Sequence, residues 1–175
     1  MNQIMPQRDK SDAMRTRLLA AGRHLFGAHG FANTSQAMIC AEAGVSRGAL
    51  NHHYPDGKRG LFEVVARAAV EEMAALSPSE TTGDALDEYL DIALRPDIFR
   101  ITIQDAPAVF GVTAWRRVEQ DILLPPVARA LGSTLRARLV YGTLLEATIC
   151  LFEAEDPVAL REEVRAELST MLPSA

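Results

Sequence analysis

Between residues 33 and 57 the chain carries helix-starting and helix-stopping residues so closely spaced that only short helices fit among them. Asn33-Thr34-Ser35 supplies cap side chains, Gly44 stops the helix they begin, Ser46 caps again, and Pro55-Asp56-Gly57 breaks the chain. One helix is expected to end near Ala43 and the next to run from Arg47 to about Tyr54. Between them Gly44 permits a tight turn, Val45 packs between the two helices and Ser46 starts the second. Two short helices around such a turn form a helix-turn-helix pattern. Upstream, Met14, Leu18, Ala21 and Leu25 recur at helical spacing from Ser11 onward, and Phe26 widens the stripe. Ser11 or Asp12 can cap that helix, and Gly27 and Gly30 are expected to stop it.

The rest of the chain also reads as helix. A longer fourth helix is expected over about 58–76, with Leu61, Val64, Val65, Ala68 and Ala69 on one face and Ser77-Pro78-Ser79 ending it. Next come 83–94, with Leu86, Tyr89, Leu90 and Ala93 inward, and a short piece over 97–104 started by Pro96. A segment over 113–124 should be broken or sharply kinked by Pro125-Pro126. Segments over 133–153 and 156–171 close the chain. No strand-like alternation persists and no internal repeat is visible. The expected fold is all-α with about nine helices: a three-helix lobe over 1–57 and a second helical lobe over 58–175, joined without a flexible linker. Aromatic residues are sparse at 6%, which also favours helices over a β-sandwich.

Charge divides the chain the same way. Residues 1–60 hold eight Arg or Lys against four acids, a net of +4, and the remaining ten basic and nineteen acidic residues give −9. A basic lobe attached to an acidic one suggests a polyanion-facing end, which the overall charge of −5 hides. The longest uncharged stretch, 24–41, contains His24, Asn33, Ser35 and Gln36 and is too polar to span a membrane. The first twenty residues carry six charges and no apolar block, so no signal peptide is expected. Cys40 and Cys150 fit no metal spacing and read as two buried thiols of a cytosolic protein. His24, His29, His52 and His53 include no i, i+4 pair and share no spaced acidic or Cys partner, so no metal or cofactor is expected.

The stretch Thr34-Ser35-Gln36-Ala37-Met38-Ile39-Cys40-Ala41-Glu42-Ala43-Gly44-Val45-Ser46-Arg47-Gly48-Ala49-Leu50 resembles the DNA-binding signature of TetR-type transcriptional regulators. Leu18, Ala21, Leu25, Phe26, Gly30 and Phe31 before it, and Lys58, Leu61 and Phe62 after it, match as well. The resemblance covers about residues 14–65. It implies that the second short helix enters the major groove of double-stranded DNA, with Ser35 and Gln36 at the backbone-touching end of the first. Arg47 then either binds guanine O6/N7 bidentately or holds a phosphate. Gly48 lets backbone and groove approach closely, His52 matches a DNA-facing position, and Lys58 resembles the family's phosphate-clamping lysine. Ile39, Val45, Leu50 and Tyr54 read as core. Cys40 stands where a small Ala is usual, as a core filler or a redox sensor. Asn51 stands where the family carries a phosphate-contacting Tyr: either that contact is weakened, or Asn51 reads adenine N6/N7.

The second lobe shows no Gly-rich phosphate loop, no nucleophile elbow and no H-E-x-x-H motif, so no catalytic residues are expected. By resemblance its middle helices would enclose a pocket for a small effector. Tyr89, Gln104, Phe110, Trp115 and Tyr141 are the candidates, although the apolar ones serve equally as core. The segment 133–153 is apolar nearly all round, and such a helix is buried on several sides. Either it lies wholly within its own subunit, or it meets a second copy in a four-helix homodimer interface, with Leu144, Thr148, Leu151 and Leu168 facing the partner. The expected function is a ligand-responsive, cytoplasmic bacterial regulator, most often a repressor, binding a near-palindromic operator as a homodimer. An architectural DNA-binding protein without an effector is the alternative, and a helical enzyme a more distant one.

Overall fold

The computed structural model describes residues 7–75 and 82–171. The expected stop at Ser77-Pro78-Ser79 lies outside the described residues. Among them all regular structure is helical. The order is α1 (Gln7–Asn33), α2 (Gln36–Ala43), α3 (Arg47–His53), α4 (Lys58–Ala74), α5 (Thr82–Ala93), α6 (Pro96–Phe99), a π-helical stretch (Arg100–Asp105), α7 (Ala106–Phe110), α8 (Val112–Leu131), α9 (Thr134–Glu153) and α10 (Pro157–Met171). From α6 to α7 the chain stays helical without interruption, so these segments form nine rods among the described residues.

Local chemistry sets the first three helices. α1 begins ahead of the expected Ser11–Asp12 cap and kinks at Gly30 (φ 79°, ψ 166°). Gly27 remains helical. There the absent side chain admits α6, since a Cβ would lie 2.7 Å from Asp97 Cβ. The Ser35 hydroxyl accepts from Met38 N at 3.1 Å and caps α2, and Ser46 accepts from Ala49 N at 3.1 Å to cap α3. Gly44 ends α2 in the left-handed region at φ 63°, a conformation that costs other residues with a Cβ.

α4 is buried along Leu61, Phe62, Val65, Ala66, Ala69, Val70 and Met73. This face is wider than expected and leaves Ala68 exposed, because α4 packs between α1 on one side and α8 on the other. Phe62 lies at the centre, edge-on to Phe26 at 4.9 Å and stacked on Phe110 at 5.7 Å. One continuous set of buried side chains runs from Leu18 in α1 to Leu168 in α10, so both halves of the chain share a core.

The prolines and the thiols depart from expectation. α8 passes through Pro125 and Pro126 as a helix, although neither can donate a backbone hydrogen bond. Val127 and Ala128 beyond the prolines pack with Leu124, Ala137 and Tyr141, so tertiary contact with α9 holds both sides. Cys150 is exposed and Cys40 half-buried; both are free thiols. Thr148, Leu151 and Leu168, expected to face a partner, are 1%, 0% and 3% exposed within a single chain and fill its own core. Leu144 is half-buried. The side of α9 open to solvent carries Leu135 and Leu139, 68% and 64% exposed.

Candidate nucleic-acid interface

α3 is anchored from beneath and bare on top. Leu50 and Tyr54 are buried, and burial pushes the Tyr54 phenol up while the Arg15 guanidinium partly restores it. Arg47, Gly48, Asn51 and His52 are exposed, and His53 is half-buried with its ring edge-on to that of His52. The first two residues of α3 are therefore an arginine and a glycine, both solvent-facing and fixed by the Ser46 cap. A helix end with this pairing can enter a major groove and reach a base edge or a phosphate.

The neighbouring candidates meet at Gly57. A Cβ there would lie 2.1 Å from Gln36 Nε2, at the movable end of that side chain, and 3.5 Å from Asn51 Oδ1; it is the backbone, at φ 58°, that favours glycine. The start of α2, the outer face of α3 and the start of α4 thus converge on one backbone position. Gln36 is half-buried here, and its Oε1 is sealed from solvent without a hydrogen-bond partner among the described residues. Ser35 is exposed, its hydroxyl engaged as the α2 cap. Lys58 turns inward: its Nζ donates to Phe31 O at 2.9 Å and lies 4.0 Å from the centre of the Phe31 ring. Burial lowers its pKa, and the Asp105 carboxylate opposes that shift. A lysine held this way joins α4 to the end of α1.

Basic residues are also drawn into the joint between the two halves. Arg23 of α1 pairs with Asp97 at 2.8 Å and Glu72 at 3.2 Å, and Arg95 pairs with the same two carboxylates. Burial alone would raise Asp97, but Arg95 and Arg23 outweigh it and hold the carboxyl below its usual range. Arg100 donates to Ala28 O, and Asp105 Oδ2 accepts from Phe31 N at 2.7 Å beside the Gly30 kink. The π-helical stretch between them therefore grips the end of α1. His24, which has no sequence neighbour to bind, meets Glu42 of α2 at 2.6 Å across the fold.

The residues expected to face an effector divide. Tyr89, Trp115 and Tyr141 are buried, Phe110 is half-buried and Gln104 is exposed. Trp115 Nε1 donates to Thr102 O in the π-helical stretch at 2.9 Å and its ring stacks near Phe110 at 5.8 Å. Glu119 and Thr102 make contacts here that sequence reasoning misses. For Glu119 a signal exists: it falls one turn after Trp115, on the stripe that Ile122 continues. Thr102 owes its contact to the π turn, which no spacing announces.

The chain is similar to known proteins in sequence and fold. Residues 18–65 match the model described as bacterial regulatory proteins, tetR family, and residues 80–174 match tetracyclin repressor-like, C-terminal domain. A TetR-family transcriptional regulator from Pectobacterium atrosepticum is 30% identical in sequence, with a TM-score of 0.66 covering 95% of this chain and 96% of that one. GusR of Salmonella enterica, 22% identical, shares the fold with a TM-score of 0.60 over 98% of this chain and 99% of its own. An HTH-type transcriptional repressor of Mycobacterium tuberculosis is 35% identical over 91 residues, which make up 52% of this chain and 46% of that repressor. The match thus spans slightly less than half of that relative. No helix among the described residues is long and apolar enough to cross a membrane.

Proposed function

Because the chain belongs to the TetR family of transcriptional regulators, we propose that it represses transcription as a homodimer whose two α3 helices read the half-sites of a near-palindromic operator. The observation that carries this reading is the outer face of α3, where Arg47, Gly48, Asn51 and His52 stand exposed on a helix fixed by its Ser46 cap and its buried Leu50. Residues 1–57 act as the DNA-binding part and 58–175 as the effector and dimer part, within one shared core. Lys58 and Arg23 are engaged inside the fold, so phosphate contacts fall to Arg47, the α2 end at Ser35 and Gln36, and the remaining N-terminal basic residues. Asn51 is placed beside the groove-facing residues but is shorter than a tyrosine, and we assign it a weakened backbone contact.

A small effector bound among α5, α8 and α9 would act through the π-helical stretch, which touches Trp115 on one side and the end of α1 on the other. It favours the conformation in which the two α3 helices no longer match successive major grooves, and its differential affinity for the two states sets the size of the response. The protein works in the bacterial cytoplasm. The dimer surface is the exposed side of α9 around Leu135 and Leu139, with Val158 of α10 also exposed. The test is fluorescence anisotropy on duplexes tiling the DNA upstream of its own gene, with sedimentation to count chains per site. Two chains on a duplex bound well above a scrambled control at about 0.15 M salt are expected. Equal affinity for all duplexes contradicts the reading.

A further inference from the structure

Glu119 is a carboxylate enclosed by aromatic side chains. It lies on α8 one turn from Trp115, and both are closed to solvent. From α9 the Tyr141 hydroxyl donates to Glu119 Oε2 at 2.9 Å. From α5 Tyr89 approaches Thr148 of α9, oxygen to oxygen 3.5 Å, and Thr148 donates its own proton to Leu144 O at 2.8 Å. The Thr148 oxygen is therefore an acceptor toward Tyr89. The positive group facing Glu119 among the described residues is Arg116, which is exposed and lies over the outer side of the Tyr141 ring at 5.8 Å.

This arrangement is costly for a structural residue. Glutamine would accept the same tyrosine hydrogen bond without burying an ionisable group. Burial pushes Glu119 above the ordinary carboxylate range, and the Tyr141 hydrogen bond and the charge of Arg116 only partly offset it. Burial likewise pushes Tyr89 up to about 12, with Thr148 lowering it and Glu119 raising it. A positive charge entering among these groups would meet one carboxylate, two phenol oxygens and the faces of aromatic rings, each favourable to a cation. A neutral donor gains a hydrogen bond from the carboxylate without the charge attraction, and an anionic ligand is repelled by it.

We propose that Glu119, with Tyr89, Tyr141 and Thr148, receives the cationic head of an organic amine whose apolar body lies against Trp115 and Phe110. The proposal rests on reading the C-terminal helices as effector-binding and gives that effector its chemical class. Trp115 is the chain's one tryptophan, so its fluorescence reports on this site alone. The full chain is titrated with a series of phenylalkyl and n-alkyl primary amines, and with alcohols and carboxylates of the same chain lengths. Amines should saturate the Trp115 signal at concentrations about tenfold or more below those of their matched alcohols. In Glu119→Gln the amine should fall to the level of the alcohol while the thermal transition stays cooperative.

Equal binding of amines and alcohols by the parent, or an undiminished amine preference in a folded Glu119→Gln, overturns the proposal. Should that variant lose its cooperative melt, the comparison within the parent protein decides alone. Operator release is measured in parallel on the same compounds. Amines that saturate the site yet leave operator affinity unchanged would uphold the cation site and overturn the effector reading. Neutral compounds that release operator, with no amine preference at Trp115, would uphold the effector reading and overturn this proposal.

Discussion

Asp105→Ala removes one side chain that joins the two halves of the molecule. In the parent its Oδ2 accepts from Phe31 N at 2.7 Å, next to the Gly30 kink, and its charge supports the half-buried Lys58 ammonium bound to Phe31 O. Alanine leaves a partly buried backbone N–H without an acceptor and Lys58 without its nearby carboxylate. A hydrogen bond to a charged group contributes about 1.5–3 kcal/mol. The attraction to Lys58 adds at most about 1 kcal/mol after solvent screening. These terms are not additive, and the expected loss is about 2–3 kcal/mol. Asp105→Asn retains an amide oxygen for Phe31 N–H and should lose about 1 kcal/mol or less. Urea denaturation followed by circular dichroism measures both, and unchanged slopes would show that the compactness of the end states is preserved. The reasoning fails if Asp105→Ala stays within about 0.5 kcal/mol of the parent, the range of an ordinary surface substitution. It also fails if Asp105→Asn is as damaging as Asp105→Ala.

Restoring the family's aromatic in Asn51→Tyr should tighten cognate and scrambled duplexes alike, compared at two salt concentrations, since a phosphate contact carries little base information. Selective loss on the cognate duplex would instead assign Asn51 to an adenine. Leu139→Asp, on the exposed side of α9, should yield a folded monomer by light scattering, whereas Leu151→Asp, in the core, should abolish the cooperative melt; a dimeric Leu139→Asp moves the interface elsewhere. Glu119 holds its proton more tightly when folded than its ordinary value of 4.5, so the parent loses stability as pH rises through that interval. Glu119→Gln should therefore gain on the parent in melting temperature from acid to neutral pH, and a variant whose margin shrinks along that path contradicts the buried-carboxylate account.

Local signals carried the DNA-facing part of the fold. Ser35, Gly44, Ser46 and Pro55 act through hydrogen bonds and backbone angles within a few residues of themselves, and α2 and α3 begin and end where those residues require. Tertiary packing decided what was misread. Pro125 and Pro126 lose two backbone bonds, yet contacts of Leu124, Val127 and Ala128 around Tyr141 keep the helix continuous. A helix apolar all round shows that it is buried on several sides without showing which side meets its own chain. Thr148 and Leu151 turned out to face inward and Leu139 outward. The partners of Lys58 and Arg23, which are Phe31 O, Asp97 and Glu72, lie far away in sequence, so no local pattern announces these contacts. The π-helical stretch has no sequence signature, so the contact of Asp105 with Phe31 N is not legible in the pattern.

The most direct test of the central claim compares the parent with Arg47→Ala on the DNA upstream of its own gene, by footprinting and by affinity. Arg47 is exposed at the first turn of α3, so its removal should leave the thermal melt unchanged. The parent should protect a near-palindromic site, and the variant should lose about 1–3 kcal/mol per half-site, enough to erase protection at the same concentration. A folded Arg47→Ala that protects the same site as strongly as the parent would contradict the account of α3 as the recognition helix.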